Sequence, residues 1–103
     1  MTRPLAESYP LLHRLFAGYA NQDFDAHGAD PLDAVRAFAR DATPPERAAA
    51  LEELRRLRAA RTTERALSSA LARLRSGVDP AAYGGTGPFL DAVAKVLAAS
   101  AAR

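Results

Sequence analysis

Thr43-Pro44-Pro45-Glu46-Arg47-Ala48-Ala49-Ala50-Leu51-Glu52-Glu53-Leu54-Arg55-Arg56-Leu57-Arg58-Ala59-Ala60 decides what kind of protein this chain makes. Thr and Glu three residues apart reciprocally satisfy orphan N–H groups of a helix start, and the prolines fill a first turn whose N–H groups have no intrahelical partner. The remainder is Ala, Leu, Glu and Arg, which lose little rotamer freedom in a helix. Leu51, Leu54 and Leu57 give it an apolar stripe, with Glu52, Glu53, Arg55 and Arg56 on the opposite side. A helix from Pro44 to about Ala60 follows.

The same grammar extends both ways along the chain. Upstream, Asp30-Pro31-Leu32-Asp33 starts a helix reaching Arg40, with Asp30 as N-cap, Pro31 at the first position and Asp33 near the positive helix end. Its face is Leu32, Val35, Phe38 and Ala39. Earlier still, Ser8 is a candidate N-cap and Pro10 sits in the first turn. That helix runs to about Tyr19 on Leu12, Leu15, Phe16 and Tyr19, with Tyr9 and Leu11 at the edge. Downstream, Thr62 or Thr63 caps a helix carrying Leu67, Leu71 and Leu74, ending at Gly77. Pro88 opens the last helix, whose inward residues are Phe89, Leu90, Val93, Val96 and Leu97. Asn21 to Ala29 and Val78 to Gly87 are loops. Pro4 blocks an early helix, so residues 1–7 are a loose lead-in, 8–99 the domain and 100–103 a frayed tail. The predicted fold is all-α, a compact single-domain bundle of about five short helices.

Composition agrees. The chain has 103 residues, which makes one domain burying about two thirds of its unfolded surface. Alanine supplies 25 of the 50 apolar residues, against 13 Leu, four Val, four Phe and no Ile, so volume-filling side chains are few and the helices must approach closely. The absence of cysteine excludes disulfides, thiolate zinc sites and thiol redox chemistry. No basic segment followed by an apolar run opens the chain, and no stretch approaches the roughly 20 apolar residues of a membrane span. A soluble, cytoplasmic protein without a membrane partner is expected. The net charge of +2 divides into −3 for residues 1–46 and +5 for 47–103, a split that bears on which partners are attracted.

Chemistry-bearing patterns are weak. Asp23-x-Asp25-x-His27-Gly28 resembles the opening of a calcium loop, but the twelfth position, where a bidentate Glu belongs, is Ala34. No metal or cofactor is expected. His13 and His27 have no serine and supporting acid placed beside them, so no catalysis is expected either. Gly84-Gly85-Thr86-Gly87 lacks the Lys-Thr/Ser ending of a phosphate loop and reads as a flexible turn. Arg47, Arg55, Arg56, Arg58, Arg61, Arg65, Arg73 and Arg75 would suit a helical nucleic-acid-binding regulator over residues 47–75. They share their helices with Glu52, Glu53 and Glu64 at pairing distances, and Arg61-Thr62-Thr63 has no turn glycine, so nucleic acid is not the expected partner. Among the acids Asp23, Asp25, Asp30, Asp33 and Asp41, the segment Asp23-Phe24-Asp25 stands apart. A ring flanked by acids suits a hot spot for a basic protein, with Phe24 as a core plug the competing reading.

Tyr9-Pro10-x-Leu12, Leu15-Phe16-x-Gly18-Tyr19-x-Asn21-Gln22-Asp23-Phe24-Asp25, the helix around Phe38 and Pro44-Pro45-Glu46-Arg47 together resemble the immunity proteins of contact-dependent growth inhibition systems. The similarity is good from Tyr9 to about Leu57. Beyond it, Tyr83 and the glycine-rich run replace the aromatic-rich segment usual in that family. The resemblance implies an antidote without enzymatic activity that binds the C-terminal toxin domain of a cognate delivery protein, one to one. Many such toxins are nucleases with cationic clefts, and Asp23, Phe24, Asp25, Asp30 and Asp33 are the matching candidates for the contact. Tyr9, Pro10, Gly18, Tyr19 and Gln22 carry the family pattern, as scaffold or as contact. A generic helical interaction domain is the third reading.

Overall fold

A computed structural model describes residues 4–20, 30–74, 76–77 and 83–101. Every regular element among them is helical: α1 (Leu5–Ser8), α2 (Pro10–Gly18), α3 (Pro31–Asp41), α4 (Pro44–Ala60), α5 (Glu64–Arg73) and α6 (Thr86–Ala101). The five expected helices are present, preceded by one extra turn. α6 is the hub, packed against α3, α4 and α5, while α2 packs on α4.

The start signals work as their chemistry requires. Thr43 Oγ1 accepts the Glu46 N–H at 3.3 Å while Glu46 Oε1 accepts the Thr43 N–H at 2.8 Å. Asp30 and Asp33 close a second reciprocal box at the head of α3. Thr63, rather than Thr62, caps α5 by accepting the Ala66 N–H. Each such cap is worth about 1 kcal/mol.

The first helix starts differently. Pro4 does not block an early turn; it stands as the N-cap of α1, and its carbonyl accepts the Glu7 and Ser8 N–H groups. Residues 5–7 of the expected lead-in are therefore helical. Ser8 closes α1, so it cannot cap α2, and Tyr9 in the N-cap position offers no side-chain bond. The missing cap comes from α4. Glu53 Oε1 accepts the N–H of Leu11 at 2.9 Å and of Leu12 at 3.1 Å. Glu53 is only 6% exposed, where the helical pattern of charges had assigned it to the solvent side. A carboxylate at a helix N-terminus is stabilised by the partial positive charge there, which offsets part of the desolvation.

A second carboxylate does the same for α6. Glu64 receives the Thr86 N–H on both oxygens, at 2.8 and 3.0 Å, and Thr86 is buried. The hydrogen bonds from Thr86 hold the Glu64 carboxyl below the usual range. α6 thus begins at Thr86, two residues before Pro88. The preceding turn uses left-handed backbone at Gly84 (φ 91) and Gly85 (φ 129). The positive φ favours glycine at Gly85, and a Cβ there would also lie 2.9 Å from Glu64 Oε1, so the carboxylate would have to shift.

α5 ends at Arg73, with Leu74 as its C-cap, earlier than Gly77. Gly77 serves elsewhere, donating its N–H to the Ala20 carbonyl and tying the exit of α5 to the exit of α2. α6 persists to Ala101 across the start of the expected frayed tail. At the C-terminus of α3, Arg47 Nη1 donates to the carbonyls of Ala39 and Ala42 at 2.9 and 2.7 Å.

The core matches the apolar stripes. Leu12, Leu15, Phe16, Val35, Phe38, Leu54, Leu57, Leu67, Leu71, Leu74, Phe89, Leu90, Val93 and Leu97 are buried, and Ala34, Ala50 and Ala70 between them are fully covered. Leu51 and Val96 are only half-buried. Small residues at helix contacts let backbones approach, and the few large side chains, Phe16, Phe38 and Phe89, fill the remaining volume.

Candidate functional site

Of the candidate contact acids, Asp30 and Asp33 are described, and both stand at the head of α3. Asp30 Oδ1 accepts the Leu32 N–H at 2.8 Å and the Tyr83 hydroxyl at 2.7 Å. Asp33 Oδ2 accepts the Asp30 N–H at 3.3 Å, and its Oδ1 pairs with Arg36 at 2.8 Å. The bonds from Leu32 and Tyr83 keep the Asp30 carboxyl below its ordinary range, so it is ionised at neutral pH. Asp30 is exposed, and Asp33 is half-buried. Asp23, Phe24, Asp25 and Gln22 lie outside the described residues.

Tyr83 joins this edge to the core, a link the sequence did not reveal. It is half-buried, stacks on Phe89 at a centroid distance of 5.1 Å and donates to Asp30 across 53 positions of chain. Burial first, and then the bond to Asp30, pushes the phenol up to about 12. A phenol whose folded value exceeds its ordinary value of 10.0 favours the folded state below pH 10, and that contribution is lost as pH rises towards 12. Two measurements check this. In phenolate absorbance Tyr83→Phe should remove the latest-titrating tyrosine, and the variant should lose less stability than the wild type between pH 10 and 12.

The family-pattern residues that are described have internal contacts. Tyr9 is buried beneath the Arg56 guanidinium, 5.2 Å from the ring centroid, and Pro10 takes the first position of α2. Tyr19 meets Phe38 edge-on at 5.6 Å and donates to Asp41 Oδ2 at 2.8 Å. That bond raises the Tyr19 phenol. Gly18 ends α2 with open space where a Cβ would stand. Next to this group Arg14 lies over the Phe38 ring and pairs with Glu46 at 2.9 Å. The Arg14 bond, with those from Thr43, holds the Glu46 carboxyl at about 2.

Several arginines of the basic half are already engaged. Arg47 caps α3, Arg56 covers Tyr9 and reaches the Ser8 carbonyl, and Arg58 bonds the Gly87 carbonyl and pairs with Asp91. Guanidiniums held by carbonyls, carboxylates and rings are poorly placed to collect phosphates. Among the described residues no three His, Cys, Asp or Glu side chains come together to hold a metal ion. No helix among them is long and apolar enough to cross a membrane.

An open groove of about 620 Å³ lies between α4 and α6, lined by Leu51, Leu54, Arg55, Arg58, Ala59, Leu90, Asp91, Ala94, Lys95 and Ala98. Sequence reading missed it, although the signal was present. Leu51, Leu54, Arg55 and Arg58 form a second stripe on α4 at helical spacing, and Ala94 and Ala98 on α6 are too small to fill the space opposite.

No curated protein and no solved structure matches the chain. Residues 8–97 do match a family, the CdiI immunity proteins, from the last residue of α1 almost to the end of α6, and the chain belongs to that family.

Proposed function

We propose that this immunity protein forms a one-to-one complex in the cytoplasm with the toxin domain of a cognate contact-dependent growth inhibition effector, and that this toxin is a nuclease. The protein neutralises it by covering its substrate cleft and performs no chemistry itself. Asp23, Phe24, Asp25, Asp30 and Asp33 form the contact, in which carboxylates oppose the cationic cleft and the Phe24 ring supplies buried area. The observation that carries this reading is the exposed, ionised Asp30 at the head of α3 beside Asp33, in an immunity protein whose first half is net acidic. Like-signed charges on a rim raise association rates and make them sensitive to salt. The engaged Arg47, Arg56 and Arg58 give the nucleic-acid reading no comparable support.

Asp30 and Asp33 also cap α3, so the cleaner test changes their neighbours. Asp23→Lys with Asp25→Lys is expected to weaken toxin binding by about tenfold or more and to flatten its salt dependence, at a cost of about 1.4 kcal/mol per decade. Titration calorimetry at several salt concentrations reads both. Unchanged affinity and unchanged salt slope would remove the acidic contact from the account.

A further inference from the structure

We propose that the groove between α4 and α6 is a second contact for the same toxin protein, and that it receives an acidic amphipathic helix of that partner. The inference rests on the toxin-binding reading above. Its basis is the combination of shape and charge in the groove. Leu54 and Leu90 form the floor, Leu51 and Ala94 are half-buried, and Ala59 and Ala98 are exposed. The lining residues span nine positions on each helix, Leu51 to Ala59 and Leu90 to Ala98, or eight rises of 1.5 Å, about 12 Å. Two turns of a guest helix fit that length and present anchors at i, i+3 or i+4, and i+7.

The rim selects the sign of the guest. It carries Arg55, Arg58 and Lys95 against the single acid Asp91, which is already paired with Arg58. Arg55 meets only Glu52, at 3.7 Å with both side chains well exposed, a pair of little strength. Lys95 is exposed and has no salt bridge to a described residue. Among the described residues Lys95 is thus without a salt bridge and Arg55 is only weakly held, and both can pair with carboxylates flanking an apolar stripe. A polyanion backbone matches less well, because it would lay phosphates over leucine and alanine.

The test uses the purified toxin domain of the cognate effector, with Arg55→Glu/Lys95→Glu and, separately, Ala98→Glu. Both alter exposed positions, and thermal melts check that folding is retained. Each variant is expected to bind the toxin domain about tenfold or more weakly, since like charges are placed against like at an interface. Folded variants that bind as the wild type does, while the wild type still protects cells, would overturn the groove and leave the immunity function intact. Failure of the wild type to bind the toxin domain would instead remove the toxin-binding reading and the groove with it. A wild-type dimer in sedimentation that the variants dissolve, or an RNA shift that they abolish, would name a different occupant and also overturn the proposal.

Discussion

Phe89→Ala is expected to destabilise the protein by about 3–5 kcal/mol, the range for deleting a fully buried ring. Phe89 is fully buried at the N-terminal end of the hub helix, with the Phe16 ring 6.5 Å away and the Tyr83 ring 5.1 Å away. Half the apolar residues are alanine, so few neighbouring side chains are long enough to collapse into the space left behind. The loss would be a large share of a total stability of about 5–15 kcal/mol. Urea unfolding should show a much lower midpoint with an unchanged slope. A loss below about 1 kcal/mol would mean that the ring is not packed as described.

The second large effect concerns a charge. Glu53→Ala is expected to cost about 2–4 kcal/mol, because it strands the N–H groups of Leu11 and Leu12 at a helix start, and bonds to a charged acceptor are worth about 1.5–3 kcal/mol each. Relief of the carboxylate's own desolvation keeps the figure from being larger. Glu53→Gln keeps one acceptor oxygen and should lose clearly less, whereas Glu52→Ala, on the exposed side of α4, should fall within about 0.5 kcal/mol of the wild type. Equal stability of Glu53→Ala and the wild type would show that α2 does not depend on α4 for its cap.

Glu53 also shows where sequence reading succeeds and where it stops. Local signals carried the fold: the Thr43–Glu46 box, the Asp30 cap, the prolines behind them and most of the leucine stripes act within a few residues of themselves, and the structure realises them, although Leu32 and Leu51 are only half-buried. Ser8 failed as a cap because it closes α1, and the partner for Leu11 and Leu12 comes from 42 and 41 positions away. The period still held a clue. Ala50, Glu53, Leu54 and Leu57 stand on one face of α4, and all four are buried, so a glutamate within an apolar stripe could have been read as a buried acceptor. Glu64 and Tyr83 gave no such clue, since their partners Thr86 and Asp30 are set by tertiary packing alone. Of the candidate contact residues, Asp30 was legible as an N-cap and Asp33 as an acid near the positive helix end; the reciprocal box between them is a finding of the structure, and it leaves Asp30 exposed. The groove follows from alanine positions whose meaning depends on which helix lies opposite.

The central claim is neutralisation of a toxin, and growth is its most direct measure. The C-terminal toxin domain of the cognate effector is induced in cells with and without the immunity protein, whose folded expression is confirmed in the same cells. The account predicts that the domain arrests growth alone, that this chain restores it, and that the two purify as a one-to-one complex. Growth that stays arrested in the presence of the folded chain would contradict it.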